Sequence, residues 1–309
     1  MAAEGSPYTS PAVSEVVSPE VSVVVLTRGD RPEALDAAVA SATAQCGVHV
    51  EVLVVWNGCG PDDPDHIGGL ESRGSAVCNI ALAENLGIPE GRNVGARHAV
   101  GAYLFFLDDD AEIVGANTFA HLVRRFEREP DLGVIGARIV DEHGDTAQRH
   151  VPRWGRASAG ESGEVTSFLG GVAAVRRSAF ESVGGYAGEF FYAMEETDLA
   201  WRLADAGWRI WYDADLHVRH PKTDPSRHPD AARRTARNRV WLVHRTLPAA
   251  IAVVYLANWL AVTGLRAPTE LRPTLAGYRE GWRSRIGPRR PIRWSTVARL
   301  TRLGRPPVL

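Results

Sequence analysis

Cysteine is scarce in this chain. Cys46, Cys59 and Cys78 are three among 309 residues, odd in number, widely spaced and without a CxxC pair. That excludes a secreted domain built on disulfides and points to reduced thiols in a cytosolic protein. Lysine is scarcer still: Lys222 is the only one, and it reads as a surface residue. No collagen-like period, sustained heptad or series of apolar spans occurs, which removes the fibrous, coiled-coil and polytopic membrane classes. There is no internal repeat. Residues 1–20 lack Lys, Arg and any continuous apolar run but hold three prolines, so a disordered leader is expected there instead of a signal peptide. What remains is ordinary globular composition, 45% hydrophobic and 23% charged, enough for a core without staples. The net charge of −2 conceals a split. From Arg266 onward there are 11 arginines and two acids, Glu270 and Glu280, a net of +9; residues 1–265 carry −11. Such polarity implies two environments.

Hydrophobic patterning over the first half implies a βαβ unit. Residues 21–26 and 50–55 are β-branched apolar runs, and residues 33–45 between them place Leu35, Ala38, Val39 and Ala42 at helical spacing. Strands are also expected over 77–82, 102–107, 134–140 and 168–175, and helices over 90–100, 117–129 and 195–206. Residues 144–163 are polar and irregular, a mobile loop by composition. Strands alternating with helices give a parallel sheet, whose ligands bind at the carboxyl ends of the strands.

Three clusters can carry chemistry. Asp108-Asp109-Asp110 ends an apolar strand. Three adjacent carboxylates repel unless water or a cation screens them, and Asp108 and Asp110 point to one side of an extended backbone. Two hard oxygen ligands at that spacing suit Mg²⁺ or Mn²⁺; a solvated turn is the plain alternative. Glu195-Glu196-Thr197-Asp198 opens a helix, where acids also serve simply as dipole partners, or where one acts as a general base. His217 and His220 fall on opposite faces of an extended segment, so one histidine, not two, can join the carboxylates at a cation.

Taken in order, these motifs resemble glycosyltransferase family 2, over residues 21–245. Thr27 and Arg31-Pro32 resemble its first nucleotide loop. Val54-Val55-Trp56-Asn57-Gly58 resembles its second-strand motif, and Asn85-Leu86-Gly87 with Gly91-Arg92-Asn93 the segment that sets a basic residue near the nucleotide. Phe106-Leu107-Asp108-Asp109-Asp110 resembles its DxD element, Leu169-Gly170-Gly171 its sugar-side strand, and Glu195-Glu196-Thr197-Asp198-Leu199 its base motif. The resemblance implies an α/β fold of GT-A type, with a mostly parallel nucleotide-binding βαβ sheet and a C-terminal helical appendage. It implies inverting transfer of one sugar from a nucleotide-diphosphate sugar to a glycan, lipid-linked or small-molecule acceptor hydroxyl, in cell-envelope glycan synthesis. Asp108, Asp110 and His220 would hold Mn²⁺ or Mg²⁺, and Thr27, Arg31, Asn57, Arg92, Asp108 and Asp109 would bind the donor. Gly170, Gly171, Asp198 and Arg202 would face sugar or acceptor. Glu196 would be the base, with Glu195 as the fallback. Trp56 stands where the family has an Asp that contacts the nucleotide base; it could stack on a base instead. No QxxRW element follows, which argues against a processive synthase. Two competing functions stay open: a non-catalytic nucleotide-sugar binder, motivated by Trp56, and a sugar nucleotidyltransferase, which would need a GxGxR-type loop where Thr27-Arg28-Gly29-Asp30-Arg31 stands.

Residues 246–309 form the expected appendage. Residues 247–265 are uncharged, long enough to span a bilayer, but diluted by Pro248, Asn258, Thr263 and Gly264. An interfacial helix, a packed helix and a true span are the three readings, in that order. The arginine-rich remainder would favour an anionic membrane surface or would pack on the acidic catalytic domain. No motif supports nucleic-acid binding. The expected location is cytoplasmic, peripheral at the inner face of the plasma membrane.

Overall fold

The computed structural model describes residues 18–58, 76–153, 158–221, 230–284 and 286–308. Cys59, Lys222 and most of the expected leader lie outside them. The chain begins with β1 (Val21–Thr27), α1 (Pro32–Thr43), β2 (Val50–Asn57), β3 (Ala76–Leu82), α2 (Gly87–His98) and β4 (Tyr103–Asp108). It continues through β5 (Glu112–Ile113), α3 (Thr118–Arg128), β6 (Leu132–Val140), β7 (Gly163–Glu164), β8 (Val172–Arg176), α4 (Arg177–Ser182), α5 (Glu195–Asp205) and β9 (Arg209–Arg219). Four helices close it: α6 (Ala231–Thr246), α7 (Ala249–Arg266), α8 (Leu271–Arg283) and α9 (Trp294–Arg302).

One sheet runs in the order β3-β2-β1-β4-β8-β6-β9-β5, with β7 added beside β9. β3, β2, β1 and β4 are mutually parallel, and β8 enters antiparallel between β4 and β6. The β-branched runs of β1 and β2 are buried on both faces, as strands covered by helices on both sides must be. On one face, Val23, Val25 and Phe105 meet Leu35 and Val39 of α1 and Phe119, Leu122 and Phe126 of α3. Each such side chain contributes roughly 1.5–3 kcal/mol on burial. On the other, Val24, Leu104 and Phe106 meet α2, α4 and α5. Gly91 and Gly95 turn the bare side of α2 to Leu26 and Val24, which brings the helix close enough to the sheet for Arg92 to reach Asp108.

A third core joins the appendage to the catalytic half. Trp201 and Ala204, on the outer side of α5, pack with Val240, Trp241 and Val243 of α6, Tyr255 and Leu256 of α7, Ile292, and Leu300 of α9. The helical layer therefore starts at Ala231, not at residue 246, and shares α5 with the sheet. The expected arginine-rich tail is two helices. Leu275, Tyr278 and Trp282, then Val297 and Leu300, sit at helical spacing, and α9 docks through Arg293 and Thr296 on Asp205 and Arg299 on Glu164.

Two further boundaries differ from expectation. The strand expected over 168–175 begins only at Val172, because residues 168–171 leave the sheet to line a cleft. β9 is longer than the sequence implied. Its register against β6 jumps from Asp213 to His217, a bulge of residues 214–216 that interrupts the alternation.

Candidate active site

The carboxyl end of β4 and the entry to β8 open onto a cleft of about 670 Å³. Its wall includes Arg92, Asp108, residues 148–153, residues 167–172, residues 192–197, His220 and Arg305. β8 sets the geometry: the Asp108 amide donates to the Gly171 carbonyl (2.8 Å), so the Gly pair lies against the carboxylate cluster. A Cβ on Gly170 would fall 2.8 Å from Glu196 Cγ, and one on Gly171 would collide with the Asp108 carboxylate. Both positions need glycine for close approach.

The three aspartates divide as the backbone alternation requires. Asp108 and Asp110 face His220, with His220 Nε2 3.6 Å from Asp108 Oδ2 and 3.2 Å from Asp110 Oδ1. Asp109 turns the other way and is buried; Thr27 Oγ1 donates to it (2.7 Å), and Arg31 pairs with it (2.5 Å) and with Asp110. Arg92 donates to Asp108 Oδ1 at 2.9 Å. Each of Asp108 and Asp110 thus commits one oxygen to an arginine and turns the other to the histidine. His220 Nδ1 donates to the Pro221 carbonyl (2.8 Å), which leaves Nε2 for the cluster.

Burial works against every charge here, and neighbours decide the outcome. Burial raises Asp108, but hydrogen bonds from His220 and the Arg92 charge outweigh it and hold the carboxyl down to about 2. Burial lowers His220, but Asp108 and Asp110 push it up to about 10. For Asp109 burial wins, and its pKa stands at about 6 despite Thr27 and Arg31.

One ligand atom from each of Asp108, Asp110 and His220 lies within 4.8 Å of the others, the only such grouping of acid, histidine and cysteine side chains among the described residues. Two carboxylate oxygens and an imidazole nitrogen are a donor set for a hard divalent cation, and the two arginines leave those atoms free. The residues fit Mn²⁺ or Mg²⁺.

The two glutamates opening α5 have different surroundings. Glu196 faces the cleft, with its side chain 26% exposed and Oε1 3.9 Å from Arg92 Nη1. Glu195 is buried, and one of its oxygens has no hydrogen-bond partner. Burial, then the Glu196 charge, raises its pKa well above the carboxylate range. The preceding turn holds three residues at positive φ: Phe191 (64°), Ala193 (68°) and Met194 (73°). Such backbone is costly unless over-determined. Buried Asn238 of α6 does this: its Nδ2 donates to the carbonyls of Phe190 (2.9 Å), Tyr192 (2.7 Å) and Ala193 (2.9 Å). No local signal in the sequence links Asn238 to residues 190–193.

Several expected site residues lie elsewhere. Asp198 is wholly buried, paired to Arg202 (2.6 Å) and Arg245 (3.1 Å), and Arg202 also donates to the carbonyls of Val183 and Gly185. Two positions beyond Glu196 on a helix is a different face, so this pair ties α5 to α6 instead of meeting an acceptor. Asn57 is buried, donating to the Gly87 carbonyl and accepting from the Leu86 amide. Thr27 is likewise buried on Asp109. These residues, with Asp109, position loops and do not present groups to the cleft. Trp56 is core, and its indole donates to Asn79 Oδ1 (2.9 Å), so it neither contacts nor stacks on a base. Arg305 and His150 line the cleft and were missed. Arg305 was one arginine among 11, and His150 lay in a segment read as loop.

Comparison with known proteins agrees with this geometry. The chain is 28% identical over 235 residues to an O-antigen biosynthesis protein, RfbC, of Myxococcus xanthus, an alignment covering 69% of this chain and 18% of that protein. It is 44% identical over 59 residues to an N-acetylglucosaminyl-diphospho-decaprenol L-rhamnosyltransferase of Mycobacterium tuberculosis, covering 18% of this chain and 19% of that one. The aligned regions are thus under a fifth of either relative's length. In structure it resembles S. aureus TarS (TM-score 0.59, 18% identity, 81% of this chain and 44% of that one). It also resembles the mannosyltransferase PcManGT of Pyrobaculum calidifontis, solved with GDP-Man and Mn2+ (TM-score 0.57, 20% identity, 93% and 80%). These likenesses establish the GT-A fold. The sequence model of glycosyl transferase family 2 matches residues 22–184, more than half of the chain and the part that carries the aspartate cluster, Arg92 and the Gly pair, so the chain belongs to glycosyl transferase family 2.

Proposed function

We propose that this chain is an inverting, metal-dependent glycosyltransferase that moves one sugar from a nucleotide-diphosphate sugar to an acceptor hydroxyl in cell-envelope glycan synthesis. The observation that carries this reading is the meeting of Glu196, Arg92 and the Asp108–Asp110–His220 group around Gly170 and Gly171. Relatives named for O-antigen biosynthesis and rhamnosyl transfer support the setting.

Asp108, Asp110 and His220 would hold Mn²⁺ or Mg²⁺. When bound, the cation neutralises charge on a departing diphosphate. Arg92, held charged by Asp108 and Glu196 despite its burial, adds a fixed positive group beside the leaving oxygens. Glu196 takes the acceptor hydroxyl proton as that oxygen forms its bond to the anomeric carbon. The bond from that carbon to the diphosphate oxygen breaks on the opposite face, and one in-line displacement inverts the centre. Glu195 is buried, and burial and then the Glu196 charge raise its pKa above the carboxylate range, so it is the less suited of the two to be the base. The Gly pair lets Arg92, Glu196 and the Asp108 carboxylate come close to one stretch of backbone, which gathers base and cluster at one place.

The same reading places the enzyme at the inner, anionic face of the plasma membrane. Val253, Val254, Leu265, Leu275, Trp282 and Trp294 are exposed, all in the helical layer, and only Val100 shares that status elsewhere among the described residues. α7 is the one described helix long and apolar enough to cross a bilayer, with 17% of its apolar window buried. Tyr255 and Leu256 pack inward while Val253 and Val254 face out, which supports a helix lying in the interface. Transfer that persists undiminished in EDTA, or in Glu196→Gln, contradicts the catalytic part. Equal sedimentation with neutral and anionic vesicles contradicts the membrane part.

A further inference from the structure

The cleft wall holds a cation, Arg305, that no carboxylate pairs with among the described residues. Arg305 follows α9 after a turn at Gly304 (φ +81°), in which the Arg305 amide donates to the Leu300 carbonyl. Asn258 of α7 donates to the Val308 carbonyl (3.0 Å), so this segment is fastened on both sides. The guanidinium then reaches into the cleft wall, where Nη1 donates to Ser167 Oγ at 2.6 Å. Among the described residues no carboxylate pairs with it, and burial lowers its pKa with only the Tyr255 hydroxyl pulling the other way. Arg92, by contrast, is matched by Asp108, and Arg202 and Arg245 by Asp198. A half-buried guanidinium without an anion is costly, and its planar fork is matched to a phosphate. Ser167 accepts from Arg305 and keeps its own proton to donate. Arg149 and Arg153 line the same cleft, and His150 there stays neutral, lowered to about 4 by burial and then by the Arg149 charge.

Position decides which anion. Ser167 is three residues before Gly170, which lies against Glu196. Three extended residues reach about 10 Å at most. Ser167 therefore lies within about 10 Å of the Gly170 backbone, and along this stretch Gly170, against Glu196, comes before Gly171, against Asp108. The geometry points to Arg305, with Ser167, as a binding site for a phosphate on the acceptor, on the same cleft wall as Glu196. This inference rests on the transferase reading. It makes the C-terminal segment, beyond the family match, part of the acceptor site.

The test is calorimetry on the full chain with phenyl phosphate as probe. Arg305→Gln is expected to weaken binding at least about tenfold, Arg305→Lys by no more than about threefold, and Ser167→Ala by an intermediate factor. Filling the donor site with UDP or GDP and Mg²⁺ should leave phenyl phosphate affinity within about twofold. Wild-type affinity in Arg305→Gln, no binding to the wild type, or displacement by the nucleoside diphosphate each overturns the assignment, the last by showing that the probe sits in the donor site. Should Arg305→Gln lose its circular-dichroism melt, the Arg305→Lys and Ser167→Ala ratios decide. Farnesyl phosphate binding more tightly than phenyl phosphate supports a lipid-linked acceptor, and equal binding a soluble sugar phosphate; both uphold the site. Failure of both UDP and GDP to bind the wild type with Mg²⁺ removes the transferase reading itself, a separate result.

Discussion

At the sheet end, Asp108, Asp109 and Asp110 share Arg31, Arg92 and His220, and the contacts come from four separate stretches of chain. In the helical layer, Arg239 lies 3.9 Å over the Trp259 ring with Nε unpartnered, and Arg305 has only Ser167 and no carboxylate among the described residues. The first region turns two carboxylate oxygens and an imidazole nitrogen toward one point, a donor set suited to a cation. The second leaves Arg239 and Arg305 with no carboxylate among the described residues, an arrangement suited to an anion. The −11 and +9 halves of the chain are this difference seen in the composition. α5 joins them: its inner face packs on the sheet, its outer face on α6 and α7, and its first turn carries Glu196.

The comparison can be broken at several points. Glu196→Gln should reduce transfer by about 10²–10⁴-fold with the melt unchanged, since the side chain is only loosely tied; steady-state kinetics with donor and acceptor reads this. Asp110→Asn should weaken Mn²⁺ binding more than about 100-fold, seen by calorimetry, because it removes a ligand outright where outer-shell changes already cost 10–100-fold. Asn238→Ala leaves the carbonyls of the strained turn unpartnered and should cost about 2–3 kcal/mol in denaturant unfolding. It should also depress turnover, since that turn aims α5.

Glu195→Gln tests the buried acid by pH. Because the folded state raises this pKa, the carboxyl's contribution to stability is full below the ordinary carboxylate range and is lost as pH rises above it. The variant should therefore match the wild type at acid pH and melt higher toward neutral and alkaline pH; a constant offset would contradict the assignment. The smallest effect belongs to the surface. Trp282→Ser with Trp294→Ser should leave the melt within about 0.5 kcal/mol and lower binding to anionic vesicles several-fold.

What could be read from sequence follows from where the information is local. β1, β2 and β4 are apolar runs with no competing pattern, and the aspartate cluster ends one of them. The nearness of His220 to that cluster came only from resemblance to the family, because 109 residues separate it from the nearest neighbouring aspartate in the chain and the β9 bulge spoils the alternation. Asp198 looked like part of the base motif because it is adjacent in sequence, but the helix turns it to the opposite side. The ranking of Glu196 over Glu195 came from the resemblance to the family, since the physical difference between them is burial, which sequence does not show. The role of Arg305 was invisible for a related reason: composition counts arginines, and only packing shows which one lacks a partner.

The central claim is that Asp108, Asp110 and His220 hold a divalent cation on a nucleoside diphosphate. The most direct measurement is calorimetry of UDP and GDP against the wild type and His220→Ala, each with Mn²⁺ and with EDTA. The account predicts that one nucleotide binds the wild type with Mn²⁺, weakens at least about tenfold in EDTA, and binds His220→Ala equally weakly in both. Binding that ignores Mn²⁺, or that His220→Ala leaves intact, would contradict it.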